Sequence, residues 1–206
     1  MRVLAVGSAK GGVSKTTSAL YLAVRAATAL GAREGDRAVA IVDRDESKNL
    51  TRLLAMRPEL HWPGVDLVNG ENLPHAYQLV VIDTPPGLSA IPSLKEADGV
   101  LVPVLPEDQG VTNLLLYLRD IDNQRITVSP RLQLLALLPA MVQRTVLHRE
   151  RIEDIKDIAA AHRPPLLVLP PVPWRARISN FDLAAPEYDA PAQELFDHAK
   201  LIPHPA

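Results

Sequence analysis

The chain has 206 residues, 47% of them apolar and 22% charged, with a net charge of −2. That length suffices for one sizeable core and is short for two, and the composition is that of an ordinary globular protein. The absence of cysteine excludes disulfides, thiolate-held metals or clusters and a cysteine nucleophile, no apolar run reaches the ~18 residues of a membrane span, and the charge balance argues against a globally basic nucleic-acid binder while leaving local patches open.

Strand-like sequence begins at Arg2, so no signal peptide and a cytoplasmic location are expected. Short apolar runs then alternate with helix-like stretches. Strands are predicted at 2–7, 38–43, 78–83, 99–105, 132–139 and 166–170, and helices at 16–30, 49–56, 91–97, 111–123, 147–162 and 190–199. Gly31 ends the first helix; Asp189 as cap and Pro191 in the first turn mark the last. The 19 prolines fall mostly at segment ends and form no tract, and no internal repeat is visible. Continuous apolar strands alternating with helices predict an α/β fold with a mostly parallel twisted sheet covered on both faces. Chemistry is then expected at the carboxyl ends of the strands.

Three strand ends carry it. The first is Lys10-Gly11-Gly12-Val13-Ser14-Lys15-Thr16-Thr17, between a buried strand and a helix, the context a phosphate-binding loop requires. Backbone N–H groups and the positive end of the new helix can surround phosphates, Lys15 can reach the β- and γ-phosphates, and Thr16 can complete a Mg²⁺ site. The stretch departs from G-x-x-x-x-G-K-[ST] at both glycines, with Ala9 and Ser14 in their places. Ser14 is expected to be tolerated if its backbone is helical and its hydroxyl points away from the phosphates. The second end, Asp43-Arg44-Asp45, reads either as a carboxylate pair beside a Mg-nucleotide or as a solvated loop with a helix cap. The third, Asp83-Thr84-Pro85-Pro86-Gly87, places one carboxylate where it either holds Mg²⁺ or caps a helix.

With Lys10 at its head, the first stretch resembles the deviant phosphate loop K-G-G-x-G-K-[ST] of the ParA/MinD ATPases. The second resembles that family's D-x-D-P-Q, with Glu46 and Ser47 replacing Pro and Gln, and the third its hhhhD-x-P-P. Residues 97–104 resemble its A-D-x-h-h-h-P-h strand. The resemblance implies a single P-loop NTPase domain over 1–206 that hydrolyses ATP slowly with Mg²⁺. By that match Lys10, Lys15 and Asp45 serve catalysis, Lys10 from across a sandwich dimer and Asp45 by orienting water. Residues Lys10, Gly11, Gly12, Val13, Ser14, Lys15, Thr16 and Thr17 bind the nucleotide; Thr16, Asp43 and Asp83 lie at the metal; and 84–87 senses the γ-phosphate. The family's adenine-reading Asn has no counterpart in 137–141, so the groups that meet the base stay unassigned.

Residues 141–177 carry seven basic side chains against four acids, whereas 178–206 carry five acids against one lysine. Trp174-Arg175-Ala176-Arg177 has no acid beside it in sequence. It resembles the basic stretch with which some ParA proteins hold DNA without sequence preference, although Arg175 and Arg177 also suit a dimer interface or nearby carboxylates. The implied protein is a short ParA-type partitioning ATPase with no N-terminal helix-turn-helix. Its ATP-bound homodimer binds nonspecific DNA on the nucleoid, and a cargo-bound ParB-type adaptor stimulates hydrolysis and release. Alternatives are a MinD-like positioning ATPase, for which the end 201–206 cannot form a basic amphipathic membrane helix, and a dethiobiotin-synthetase-like ligase. No membrane partner is expected.

Overall fold

A computed structural model describes residues 1–69, 73, 75–127 and 131–202; the predicted non-helical end at 203–206 lies outside them. Seven strands form one sheet: β1 (Arg2–Val6), β2 (Val39–Asp43), β3 (Val65–Leu67), β4 (Leu79–Asp83), β5 (Gly99–Val104), β6 (Gln133–Pro139) and β7 (Leu167–Val168). Their order is β3-β2-β4-β1-β5-β6-β7, and every pairing is parallel. The helices are α1 (Lys15–Ala29), α2 (Asn49–Met56), α3 (Ile91–Leu94), α4 (Asp108–Thr127), α5 (Val146–Ala161), α6 (Ala176–Ser179) and α7 (Asp189–Ala199).

Alternation along each strand sends successive side chains to opposite faces. Leu4, Val6, Ile41 and Val81 join one apolar cluster with side chains of α1 and α7, while Val3, Ala5, Val80 and Ile82 join another with side chains of α3, α4 and α5. Both sets are fully or almost fully buried, which explains why the strands read as continuous apolar runs. Helix α1 is buried nearly all round from Ser18 to Ala27, because it lies between the sheet and α7 and its many alanines permit close approach. It stops at Gly31, whose φ of 64° is left-handed, with the Ala32 N–H returning to the Ala27 carbonyl.

Six strands were expected and seven are present among the described residues; β3 is a three-residue, half-buried edge strand. The last strand is shorter than its predicted span, and α4 begins at Asp108 rather than 111. Asp189 does not cap α7: no side chain caps that helix, and the Asp189 carboxylate accepts from Arg25 instead. The consequence for function is at the centre of the sheet. Strands β2 to β4 lie to one side of β1 and β5 to β7 to the other, so the winding reverses at β1 and opens a crevice at its carboxyl end.

Candidate functional site

The loop from Gly7 to Ser14 leaves β1 at that crevice. Gly12 has φ of 80°, open to glycine at no cost. Ser14 has φ 68° and ψ 24°, so the expected helical backbone is not found: this residue stands in the left-handed region that the usual glycine prefers. Its hydroxyl makes no cap bond to α1. A non-glycine residue there costs ~1–2 kcal/mol, and glycine's extra chain entropy ~0.5–1 kcal/mol. Ser14→Gly should therefore raise stability by roughly 0.5–1 kcal/mol, seen as ~1–4 °C in Tm for a domain of this size. Its effect on ATP affinity should stay below about 1 kcal/mol, less than a tenfold change by titration calorimetry; a tenfold gain would mark Ser14 as an impairment.

Lys15 is buried, and its ammonium donates only a long 3.4 Å bond to the Lys10 carbonyl. Burial lowers its pKa, against the pull of the Asp83 and Asp45 carboxylates. Thr16 donates its hydroxyl to Asp83 Oδ2 at 2.7 Å. Asp83 ends β4 in register with Val6 on one side and Asp43 on the other, so both carboxylates arrive level with the loop. Burial pushes the Asp83 carboxyl up to about 7; the Thr16 hydroxyl and Lys15 oppose this and Asp43 adds to it.

The two carboxylates differ in what they hold. Asp43 Oδ1 accepts the Asp45 N–H at 3.1 Å, and Oδ2 accepts both the N–H and the hydroxyl of Thr51 at 2.9 Å. It anchors the first turn of α2 and the intervening loop through Thr51, although the cap position of that helix is Lys48, and it also lies beside Asp83. Asp83 Oδ1, in contrast, is buried with no partner. A buried acceptor next to a hydroxyl and a phosphate cradle is a donor set that fits Mg²⁺, which binds through one or two carboxylates and substrate phosphates. Asp45 is half-buried, turned by bonds from Ser47 to its Oδ1, and lines the cleft. Thr84 is buried with its hydroxyl on the Val6 carbonyl, and the Gly87 N–H meets the Ser8 carbonyl at 2.8 Å, which ties 84–87 to the loop.

Of these groups, Ser14, Lys15, Thr16 and Asp45 line one wall of a cleft of about 690 Å³, while Asp43 and Asp83 are not part of its lining. Its far wall holds Met141, Pro173, Trp174, Arg175, Phe181 and Tyr188, none of which the sequence had pointed to as a ligand wall. Met141 and Phe181 are left-handed at φ 57° and 56°. Together with Ser14, they put on this one cleft three of the five positive-φ non-glycine residues found among the described residues, as expected where local strain is concentrated at functional sites. Lys10, although part of the loop, does not line the cleft; it is exposed and its ammonium bonds Gln109 Oε1 at 3.1 Å. Arg175 and Arg177 are separated in role. Arg175 faces the cleft, whereas Arg177 is paired with Glu187, an acid ten residues away that local sequence could not show.

The profile of the "CobQ/CobB/MinD/ParA nucleotide binding domain" family matches residues 4–184. The chain belongs to that family. Within it, the chain is 31% identical over 194 residues to the chromosome-partitioning ATPase Soj of Thermus thermophilus, spanning 74% of each protein. It is 27% identical over 213 residues to the chromosome partitioning protein ParA of Caulobacter vibrioides, spanning 78% of this chain and 76% of that one. The fold is similar to that of Cyanothece McdA(D38A) in complex with ATP (TM-score 0.72, 17% identity, all of this chain and 99% of that one). It is also similar to Mycobacterium smegmatis cobyrinic acid a,c-diamide synthase with bound ADP and magnesium (TM-score 0.71, 24% identity, 100% and 99%). The family's nucleotide-binding character and the P-loop α/β fold thus agree with the loop, the crevice and the all-parallel sheet. Among the described residues no helix is long and apolar enough to cross a membrane.

Proposed function

We propose that the chain is an ATP-dependent partitioning ATPase whose ATP-bound homodimer holds DNA without sequence preference and releases it when a cargo-bound adaptor stimulates hydrolysis. The observation that carries the nucleotide part is the cleft itself, lined by a buried lysine with one long bond and by Thr16, whose hydroxyl is held by Asp83 with its orphan carboxylate oxygen, together with an aromatic wall. Phosphates lie on the loop's N–H groups and Lys15. Thr16 and Asp83 hold Mg²⁺, which when bound neutralises phosphate charge. Asp43 fixes the loop that presents Asp45, and Asp45 orients the attacking water. The base lies toward Met141, Trp174 and Phe181. The partitioning part is supported by the similarity to Soj and ParA.

For DNA, the fold suggests a different basic set from Arg175 with Arg177. Val142 and Pro173 are bridged in parallel, and the Trp174 N–H reaches the Val142 carbonyl at 2.9 Å. The exposed Arg144 and Arg175 each follow their bridge partner by two residues, and on this reading they share one rim. In Arg177 the guanidinium already serves Glu187. With ATP present, Arg144→Ala with Arg175→Ala should weaken binding to random-sequence duplexes of any sequence. The slope of log affinity on log salt should become shallower by about 0.9 for each DNA phosphate that is no longer neutralised, while Arg177→Ala leaves the slope unchanged. The measurement is anisotropy at two or more salt concentrations, with Asp45→Ala as a hydrolysis-blocked background. If the ATP-bound parent ignores DNA, the chain is instead a positioning ATPase acting through another surface; ATP consumption coupled to a small substrate would point to the ligase.

A further inference from the structure

The far wall of the cleft is weakly structured by itself. Between Ser179 and Asp189 it contains one three-residue turn of 3₁₀ helix, Pro186–Tyr188, and a left-handed Phe181 that costs roughly 1 kcal/mol or more to hold. Arg57 reaches the Asn180 carbonyl at 2.8 Å and Arg177 holds Glu187, but most side-chain bonds to the segment come from α1, the helix whose first turn carries Lys15, Thr16 and Thr17. Ser18, Tyr21 and Arg25 follow at spacings of three and four residues and so share one face of that helix. The Ser18 hydroxyl and the Tyr188 hydroxyl are 3.0 Å apart. The Tyr21 ring stacks on Tyr188, with centroids 4.6 Å apart and planes 12° from parallel, and its hydroxyl donates to the Asp182 carbonyl at 2.8 Å. Burial raises the Tyr21 pKa to about 12, which keeps that hydroxyl a donor.

Arg25 binds this segment at three points. Nη1 donates to the Leu183 carbonyl at 2.8 Å, Nη2 to the Ala185 carbonyl and Nε to the Asp189 carboxylate, with only 12% of the side chain exposed. Three acceptors around one guanidinium suit its rigid planar fork and no other side chain. Arg25 itself does not line the cleft.

We propose that Arg25 is a positioning residue for the base side of the nucleotide, fixing Phe181 and Tyr188 at a set distance from the phosphate loop through α1. The inference rests on the nucleotide reading of the cleft. It makes one rigid helix the ruler between two subsites: its first turn meets phosphates, and its next two turns set the wall that meets the base. Loss of the fork lets the 181–188 segment drift while the phosphate cradle stays in place. Affinity that comes from the base is then lost, and affinity that comes from the phosphates is kept.

The test is calorimetric titration of the parent, Arg25→Met and Arg25→Lys with Mg-ATP and with Mg-tripolyphosphate, at a temperature below the unfolding onset of all three. The parent should prefer ATP. Arg25→Met should lose about tenfold in ATP affinity, the equivalent of one charge-assisted hydrogen bond, with tripolyphosphate unchanged within about twofold. Arg25→Lys, which keeps the charge without the fork, should fall between. Equal losses for both ligands, or no loss for either, would make Arg25 a scaffold residue only and overturn the inference. Should Arg25→Met fail to fold, Tyr21→Phe removes a single hydroxyl bond from the same clamp and should lower the ATP preference by about threefold; an unchanged preference there also overturns it. A parent that binds ATP no better than tripolyphosphate overturns the nucleotide reading instead, a result distinct from either.

Discussion

Lys15→Met is expected to abolish ATP binding while leaving the unliganded protein at least as stable as the parent. The lysine is buried, its one bond is a long one to a carbonyl, and burial outweighs the nearby carboxylates in setting the direction of its pKa shift. A lysine whose folded pKa is lowered disfavours the folded state whenever it is charged, so at neutral pH the ammonium is a cost in the empty protein. Methionine keeps the stem and removes that cost. With ATP the sign reverses, because the phosphates supply the missing partner. Removing one member of a buried charge pair costs ~3–5 kcal/mol, or roughly two to three and a half powers of ten in affinity. Thermal unfolding with and without Mg-ATP reads both effects. At a ligand concentration a hundred times its Kd the parent should gain ~2.7 kcal/mol, or about 5–10 °C. The variant should gain nothing, from a starting Tm equal to the parent's or higher. A variant that unfolds far earlier without ligand would show Lys15 to be structural and would weaken the phosphate assignment.

The parts legible in the sequence were those whose cause is local. Strand alternation buried on two faces gives unbroken apolar runs, and a strand followed by Gly11, Gly12, Lys15 and Thr16 announces a phosphate loop within fifteen residues. The strand β3 escaped notice because three half-buried edge residues leave no run and no alternation to read. Other features depend on distant parts of the chain meeting. The roles of Asp43 and Asp83 separate only when Thr51 folds back onto the first and Thr16 onto the second. Arg177 is unopposed in the local sequence, and only the turn at Pro186–Tyr188 brings Glu187 to it.

The far wall of the cleft was illegible for the same reason. Trp174, Phe181 and Tyr188 sit in a proline-punctuated stretch without period; Trp174 is placed by the carbonyl of Val142, and the segment carrying Phe181 and Tyr188 is bonded by Ser18, Tyr21 and Arg25, more than 150 residues earlier. That stripe was visible in the sequence only as part of an Ala-rich helix. Two polar side chains and a tyrosine on a helix buried nearly all round are the one local sign that something polar had to be met there. Ser14 is the converse case: its departure from glycine was legible, but its left-handed backbone was not, because nothing local distinguishes a loop that tolerates serine from one that is strained by it.

The second large effect expected is at Lys10. In the folded chain this residue stands beside the cleft without entering it: its ammonium is exposed and held by Gln109 of α4, and the cleft's lining passes from Gly11 to Gly12 and Ser14. A loop lysine that is absent from its own site is free to serve another. On the proposed reading, Lys10→Ala should leave ATP binding by the monomer within about threefold of the parent, because the bond to Gln109 is an exposed one worth ~0.5–1 kcal/mol at most. The ATP-dependent dimer should disappear, since each subunit then lacks the charge that meets its partner's phosphates. DNA binding should fall with it by roughly a hundredfold or more, as one rim of arginines engages far less tightly than two linked in a dimer. Light scattering on a sizing column with Mg-ATP, followed by anisotropy on a random-sequence duplex, separates the steps. Loss of monomer ATP binding as severe as in Lys15→Met would place Lys10 in its own site after all. A Lys10→Ala protein that still dimerises with ATP and binds DNA like the parent would remove the reach across the dimer from the mechanism.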